Sequence, residues 1–153
     1  MQNVKRIFAF TFSLFIVTLM GAVNSICFDR DYLSSLIIPN YLPPSYIISA
    51  LIGLTYILFT IIITTSLLCS RKNRQLFYIL FSIIVLNVFY MIVFFRLRYE
   101  ITSLFILFIQ IVLMYILLKH TSINFISVFP ILLLIIIYTY LLILNYGIVV
   151  LNG

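Results

Sequence analysis

Tyr46, Ser49, Gly53, Tyr56, Thr60 and Thr64 recur at three- or four-residue intervals, which sets them on one face of a helix. Asn87, Tyr90 and Phe94 form a second such stripe. Thr11, Thr18 and Ser25 line up in a third, Ser103, Gln110 and Met114 in a fourth, and Tyr138, Asn145 and Asn152 in a fifth. A tyrosine joins a flat apolar ring to one polar tip, and an asparagine carries donors and an acceptor together. Several of them meeting at one level could hold a flat, mostly apolar ligand. The same residue types also make ordinary contacts between membrane helices. Serine and threonine commonly bond their own helix backbone, so plain packing is the expectation for them. For tyrosine and asparagine both readings stay open on pattern alone.

Catalytic chemistry finds little support. There is no Ser/His/Asp set, no metal-ligand cluster and no glycine-rich phosphate loop, so no cofactor is required and no enzyme is indicated. His120, the single histidine, stands beside Lys119 and reads as a solvated residue rather than a haem ligand. Gln110 has no intramembrane acid or base beside it, which argues against proton coupling. Cys27 and Cys69 end two successive apolar runs and are expected at opposite membrane faces, too far apart to bridge.

The elements that carry these stripes must be membrane helices. The chain has 153 residues, of which 65% are hydrophobic and 8% charged, with a mean hydropathy of +1.32. A soluble domain of that composition could not cover its surface with polar groups. The expected class is all-α: a five-transmembrane-helix bundle forming a single domain over residues 1–153. A bilayer core of about 30 Å needs about 20 apolar residues. Five stretches qualify, near Ile7–Cys27, Tyr46–Cys69, Leu76–Phe95, Ile101–Leu118 and Phe125–Leu151, and none contains Asp, Glu, Lys or Arg. The first is read as a retained span, because its apolar run is long for a signal peptide and Asn24-Ser25-Ile26 is a poor cleavage site.

The breaks hold the charges. The formal net charge is +6, but the basic residues sit in short loops, so the bilayer and its headgroups are the partners and nucleic acid is not. Six Lys and Arg fall on the N-terminal side and three on the other, with all three acids on that other side. The positive-inside rule then places the N terminus in the cytoplasm and the C terminus outside. The longest loop, Phe28 to Ser45, carries Pro39, Pro43 and Pro44 and is expected to be stiff. Leu36, Ile37, Ile38, Tyr41 and Leu42 in it should pack back on the bundle.

That loop reads Tyr32-Leu33-Ser34-Ser35-Leu36-Ile37-Ile38-Pro39-Asn40-Tyr41-Leu42-Pro43-Pro44-Ser45-Tyr46, with Tyr56 ten residues beyond. The third run carries Leu86-Asn87-Val88-Phe89-Tyr90 and then Phe94-Phe95, and the fifth ends Leu144-Asn145-Tyr146-Gly147-Ile148-Val149-Val150-Leu151-Asn152. In that order, from about Tyr32 to Asn152, these motifs resemble the TspO/MBR family of tryptophan-rich sensory or translocator proteins (the peripheral benzodiazepine receptors). Tyr32, Tyr46 and Tyr90 stand where that family has tryptophans, Ile52 at a further tryptophan position, Met91 for a serine and Val150 for a basic residue. The chain has no tryptophan at all, and its Pro130-to-Asn145 spacing is three residues longer than the family's.

The resemblance implies a homodimeric five-helix bundle with a pocket near one membrane face, lidded by the loop between the first two spans. It implies a receptor or sensor for a porphyrin, haem or related tetrapyrrole, or a sterol-like small molecule, in a bacterial cell membrane. Passive transport of the same ligands is the alternative, and porphyrin modification a weaker one, because the light-dependent breakdown known in some members is associated with tryptophans absent here. The expected ligand-binding residues are Tyr46, Ile52, Tyr56, Asn87, Tyr90, Phe94 and Asn145, with Arg30, Arg96 and Arg98 placed to meet carboxylates.

Overall fold

The computed structural model describes residues 2–69, 74–121 and 125–152; the side chains of Gln2, Ser45, Cys69, Arg74 and Phe125 lie outside that description. The described residues form helices and connecting turns. α1 spans Gln2–Cys27, the short α2 Arg30–Ser35, α3 Ser45–Cys69, α4 Arg74–Met91, α5 Glu100–His120 and α6 Phe125–Asn152. Five of them are long and apolar enough to cross a membrane, the architecture of an integral membrane protein. The expected all-α five-helix bundle is therefore present.

The bundle core is hydrocarbon packed on a few aromatic rings. Phe59, Ile83, Leu107, Met114, Leu117, Ile131 and Leu134 are fully buried there, with Tyr138 among them. Helices α5 and α6 pack along each other, and α3 packs on both α1 and α6. Ser13 on α1 accepts a hydrogen bond from Thr64 on α3 (3.0 Å), and Gly21 on α1 faces the Tyr56 ring. These contacts align the two helices antiparallel and leave Cys27 as a buried free thiol at one end of the bundle.

α1 turns a different face inward from the one the spacing predicts. Thr11, Thr18 and Ser25 are exposed, while Ala9, Ser13, Val17, Met20, Asn24 and Cys27 point into the bundle. Thr18 shows why a threonine can face lipid: its hydroxyl donates to the Leu14 carbonyl of its own helix at 2.8 Å. The α5 stripe does face inward, with Ser103, Gln110 and Met114 buried, and so do Tyr138 and Asn145 of the α6 stripe, while Asn152 at its end is exposed against the loop. Despite Pro130, α6 is one continuous helix through Asn145.

α4 ends in a π-helical turn, Ile92–Arg96. The amide of Leu97 reaches the Ile92 carbonyl (3.0 Å), and that of Tyr99 reaches Val93 (3.1 Å). Widening the turn lets three consecutive side chains, Val93, Phe94 and Phe95, all be buried. Arg98, at φ 58°, takes the left-handed conformation that reverses the chain into α5.

Candidate functional site

Four polar side chains from four helices meet beneath this turn. Asn24 on α1 donates from Nδ2 to the Asn87 Oδ1 (3.1 Å) and to the Tyr56 hydroxyl (3.3 Å). Asn87 on α4 donates from its own Nδ2 to the Tyr138 hydroxyl on α6. Each group satisfies a partner that would otherwise be stranded in hydrocarbon, where an unmet polar group costs about 1–3 kcal/mol. One atom of the set is left over: Asn24 Oδ1 is buried with no hydrogen-bond partner.

An aromatic column rises from this network to the loop. Tyr90, one turn beyond Asn87, stacks on Phe94 with centroids 5.8 Å apart, and Phe94 meets Tyr32 of α2 edge-on at 5.9 Å. Phe95 packs at right angles to Phe94 (4.9 Å) and against Phe28 (5.0 Å). The exchange of ring geometries is the favourable one for rings that carry a negative face and a positive edge.

The loop is held over the column at three points. Tyr32 donates to Glu100 Oε1 at the start of α5 (2.5 Å). Burial first, and then the bond and charge of Glu100, push the Tyr32 phenol well above the ordinary tyrosine range, so it stays a donor. Asn152 at the end of α6 clamps Ile37, accepting from its amide (2.8 Å) and donating to its carbonyl (3.0 Å). Pro39 and Tyr41 drop onto Gly147 of α6, and the Tyr41 hydroxyl donates to the Ile143 carbonyl (3.4 Å).

Asp29 caps α2 by accepting from the amides of Asp31 (3.1 Å) and Tyr32 (3.0 Å). The Tyr32 amide bond does most to hold its carboxyl below the ordinary value of 3.8; desolvation partly opposes it, and Asp31, Arg98 and Arg96 add to it. A depressed carboxyl contributes above the ordinary value and loses its contribution as pH falls through the depressed one. Amide exchange at Asp31 and Tyr32, taken relative to the intrinsic exchange rate at each pH, should therefore be flat across neutral and mildly acidic pH and should rise only below that 3.8. A rise already at pH 6 would mean that the cap does not hold α2.

The predicted site residues separate into three groups. Tyr56 and Asn87 are in the network, Tyr90 and Phe94 in the column, and Asn145 lies alongside, donating to Ser103 (2.8 Å). The arginines ring the same end. Arg96 donates to the Ile26 carbonyl at the end of α1 (2.6 Å), and Arg98 sits 3.7 Å from Asp29 and over the Tyr32 ring. Arg30 is exposed at the start of α2. Tyr46 and Ile52 stand apart, 71% and 50% exposed. The loop anchors to α5 and α6 and so leaves the first turns of α3 uncovered. At the membrane surface Tyr46 is placed as an interfacial tyrosine.

Two contributors carry no weight in the sequence reading. Asn24 appears there only as part of an unsuitable cleavage site, although an asparagine inside an apolar run is itself a signal of a buried partner. Tyr32 appears only as a tryptophan replacement, and its bond to Glu100 joins residues 68 apart in sequence. Among the described residues no three His, Cys, Asp or Glu side chains gather into a metal-binding set. Comparison with models of known protein families and with curated proteins finds no match for the chain.

Proposed function

We propose that the chain is a TspO/MBR-type membrane receptor or sensor, acting as a homodimer, that binds a flat apolar ligand of the porphyrin class under the α1–α3 loop. The observation that carries this reading is the part-buried Asn24–Tyr56–Asn87–Tyr138 network, with its unpaired Asn24 oxygen, beneath an aromatic column and a latched loop. A conjugated macrocycle would stack on the partly buried Tyr90 ring, backed by the buried Phe94, and the Asn24 oxygen would accept from a pyrrole or hydroxyl donor. Arg96 and Arg98, at the loop end, would turn from the Ile26 carbonyl and Asp29 to a ligand's propionates.

Two substitutions test the site. Tyr90→Ala should weaken both protoporphyrin and an uncharged isoquinoline ligand about tenfold, a loss of about 1.4 kcal/mol. Arg98→Ala should weaken only the carboxylate-bearing ligand. If neither change alters either affinity, the ligand binds elsewhere. Receptor and passive transporter separate on flux: sealed vesicles carrying the protein should show no faster porphyrin entry than empty ones, and accelerated entry would favour the transporter.

The proposed orientation is N terminus in the cytoplasm and C terminus outside, in a bacterial cell membrane. It rests on the six-to-three distribution of Lys and Arg. Cys27 is buried and makes a poor reporter, but Ser34 in α2 is exposed. A Ser34→Cys variant in a Cys27→Ser, Cys69→Ser background should react with an impermeant maleimide from outside intact cells. Reaction only after lysis would reverse the topology.

A further inference from the structure

Away from the loop, a second feature has the shape of a binding site. Toward the loop, α1 is joined to α4 by the Asn24–Asn87 bond. A groove of about 330 Å³ opens between them with α3 as its floor. Its α1 wall is Phe12, Ile16, Leu19, Met20 and Val23, at the spacing of one helix face. Its α4 wall is Phe77, Leu80, Phe81, Ile84 and Val88. Stacked ring pairs, Phe8 on Phe12 (6.1 Å) and Phe77 on Phe81 (6.5 Å), flank the opening on the two helices.

The lining says what the groove can hold. From Phe12 to Val23 it runs about 16 Å, at a rise of about 1.5 Å per residue. Every lining side chain is hydrocarbon or thioether except Ser66, three residues from the end of α3 and at the groove's N-terminal end. A porphyrin there would leave its pyrrole nitrogens and propionates almost without partners. A long narrow hydrocarbon would meet only apolar walls, and filling the groove recovers dispersion contacts that a void forfeits.

Charge identifies which hydrocarbon. Lys5 precedes Phe12 by seven residues, two turns along the same helix face, and is exposed beside Arg6. The span Asn3–Cys27 has 25 residues, about 37 Å of helix against a hydrocarbon core of about 30 Å, so its first turn reaches the headgroup layer. The mouth of an apolar groove therefore carries an ammonium and a guanidinium at headgroup depth. We propose that the groove binds one acyl chain of an anionic glycerophospholipid from the N-terminal leaflet, with Lys5 and Arg6 on its phosphate. This site is separate from the one under the loop and does not depend on it.

The test is native mass spectrometry of the purified full chain in mild detergent, given equimolar phosphatidylglycerol and phosphatidylcholine with identical chains. The native protein should retain one phosphatidylglycerol per chain, several-fold over phosphatidylcholine. Lys5→Gln with Arg6→Gln should bring the two lipids close to equal retention, and Ile84→Trp should fill the groove and remove both. Circular dichroism checks the fold of each variant, and Ile16→Phe provides a milder filling substitution if Ile84→Trp does not fold. Equal retention of both lipids by the native protein, no retained lipid, or a preference unchanged in the double variant would overturn the proposal. So would an Ile84→Trp protein that loses a dimer and keeps its lipid, since the groove would then belong to a second copy.

Discussion

Asn87→Leu is expected to lower the thermal stability of the bundle by several degrees and to abolish any ligand response. Asn87 accepts from Asn24 and donates to Tyr138, so one substitution removes two interhelical hydrogen bonds, takes the donor from the Tyr138 hydroxyl and leaves the Asn24 amide with Tyr56 alone. Interhelical bonds in membranes are worth about 0.6 to 2 kcal/mol each, so the expected loss is about 1 to 4 kcal/mol. Leucine matches asparagine closely in size, so the loss should reflect polar pairing rather than a cavity. A double-mutant cycle with Tyr138→Phe checks this, since directly bonded partners should give less than additive losses. Unchanged unfolding in Asn87→Leu would show that the four residues are packed neighbours and not a network.

The second large effect is expected at Gly147. A Cβ there would run into the Tyr41 hydroxyl and come within 2.8 Å of the Pro39 ring. The Tyr41 hydroxyl can swing aside, but the proline ring is part of the backbone path and cannot. Gly147→Leu should therefore lift the loop from α6, break the Tyr41–Ile143 bond and free Asn152 from Ile37. Hydrogen exchange read across Leu36–Leu42 should accelerate at least tenfold, while α5 and α6 below stay protected. Ligand dissociation should quicken in the same variant, because the loop is proposed as the lid. Loop exchange at the native rate would mean that the Gly147 notch does not seat it.

Much of this arrangement can be read along the chain because a bilayer imposes length and charge rules that act locally. The five spans follow from runs free of Asp, Glu, Lys and Arg, and their observed ends differ from the expected ones by a few residues. The inward faces of α5 and α6 are legible because Gln110 and Asn145 are costly to expose to lipid. The face of α1 is not, since a hydroxyl such as that of Thr18 satisfies itself on its own helix and so tolerates lipid. The half of α3 nearest the loop misleads for another reason. Its stripe is regular, but the loop that would cover Tyr46 is pulled toward α5 and α6 by Glu100, Asn152 and Gly147, far away in sequence. The π-helical turn has no periodic signature, and the α1–α4 groove depends on how three helices pack, which no local pattern encodes.

The central claim is that a flat tetrapyrrole binds under the loop, and a titration of the purified protein in lipid nanodiscs measures it most directly. Protoporphyrin should give a saturable shift in absorbance with one site per chain and should slow hydrogen exchange in α2 and across Leu36–Leu42. Tyr90→Ala should weaken the binding while the fold stays intact by circular dichroism. Non-saturating uptake equal to that of empty nanodiscs, with no change in loop exchange, would contradict the account.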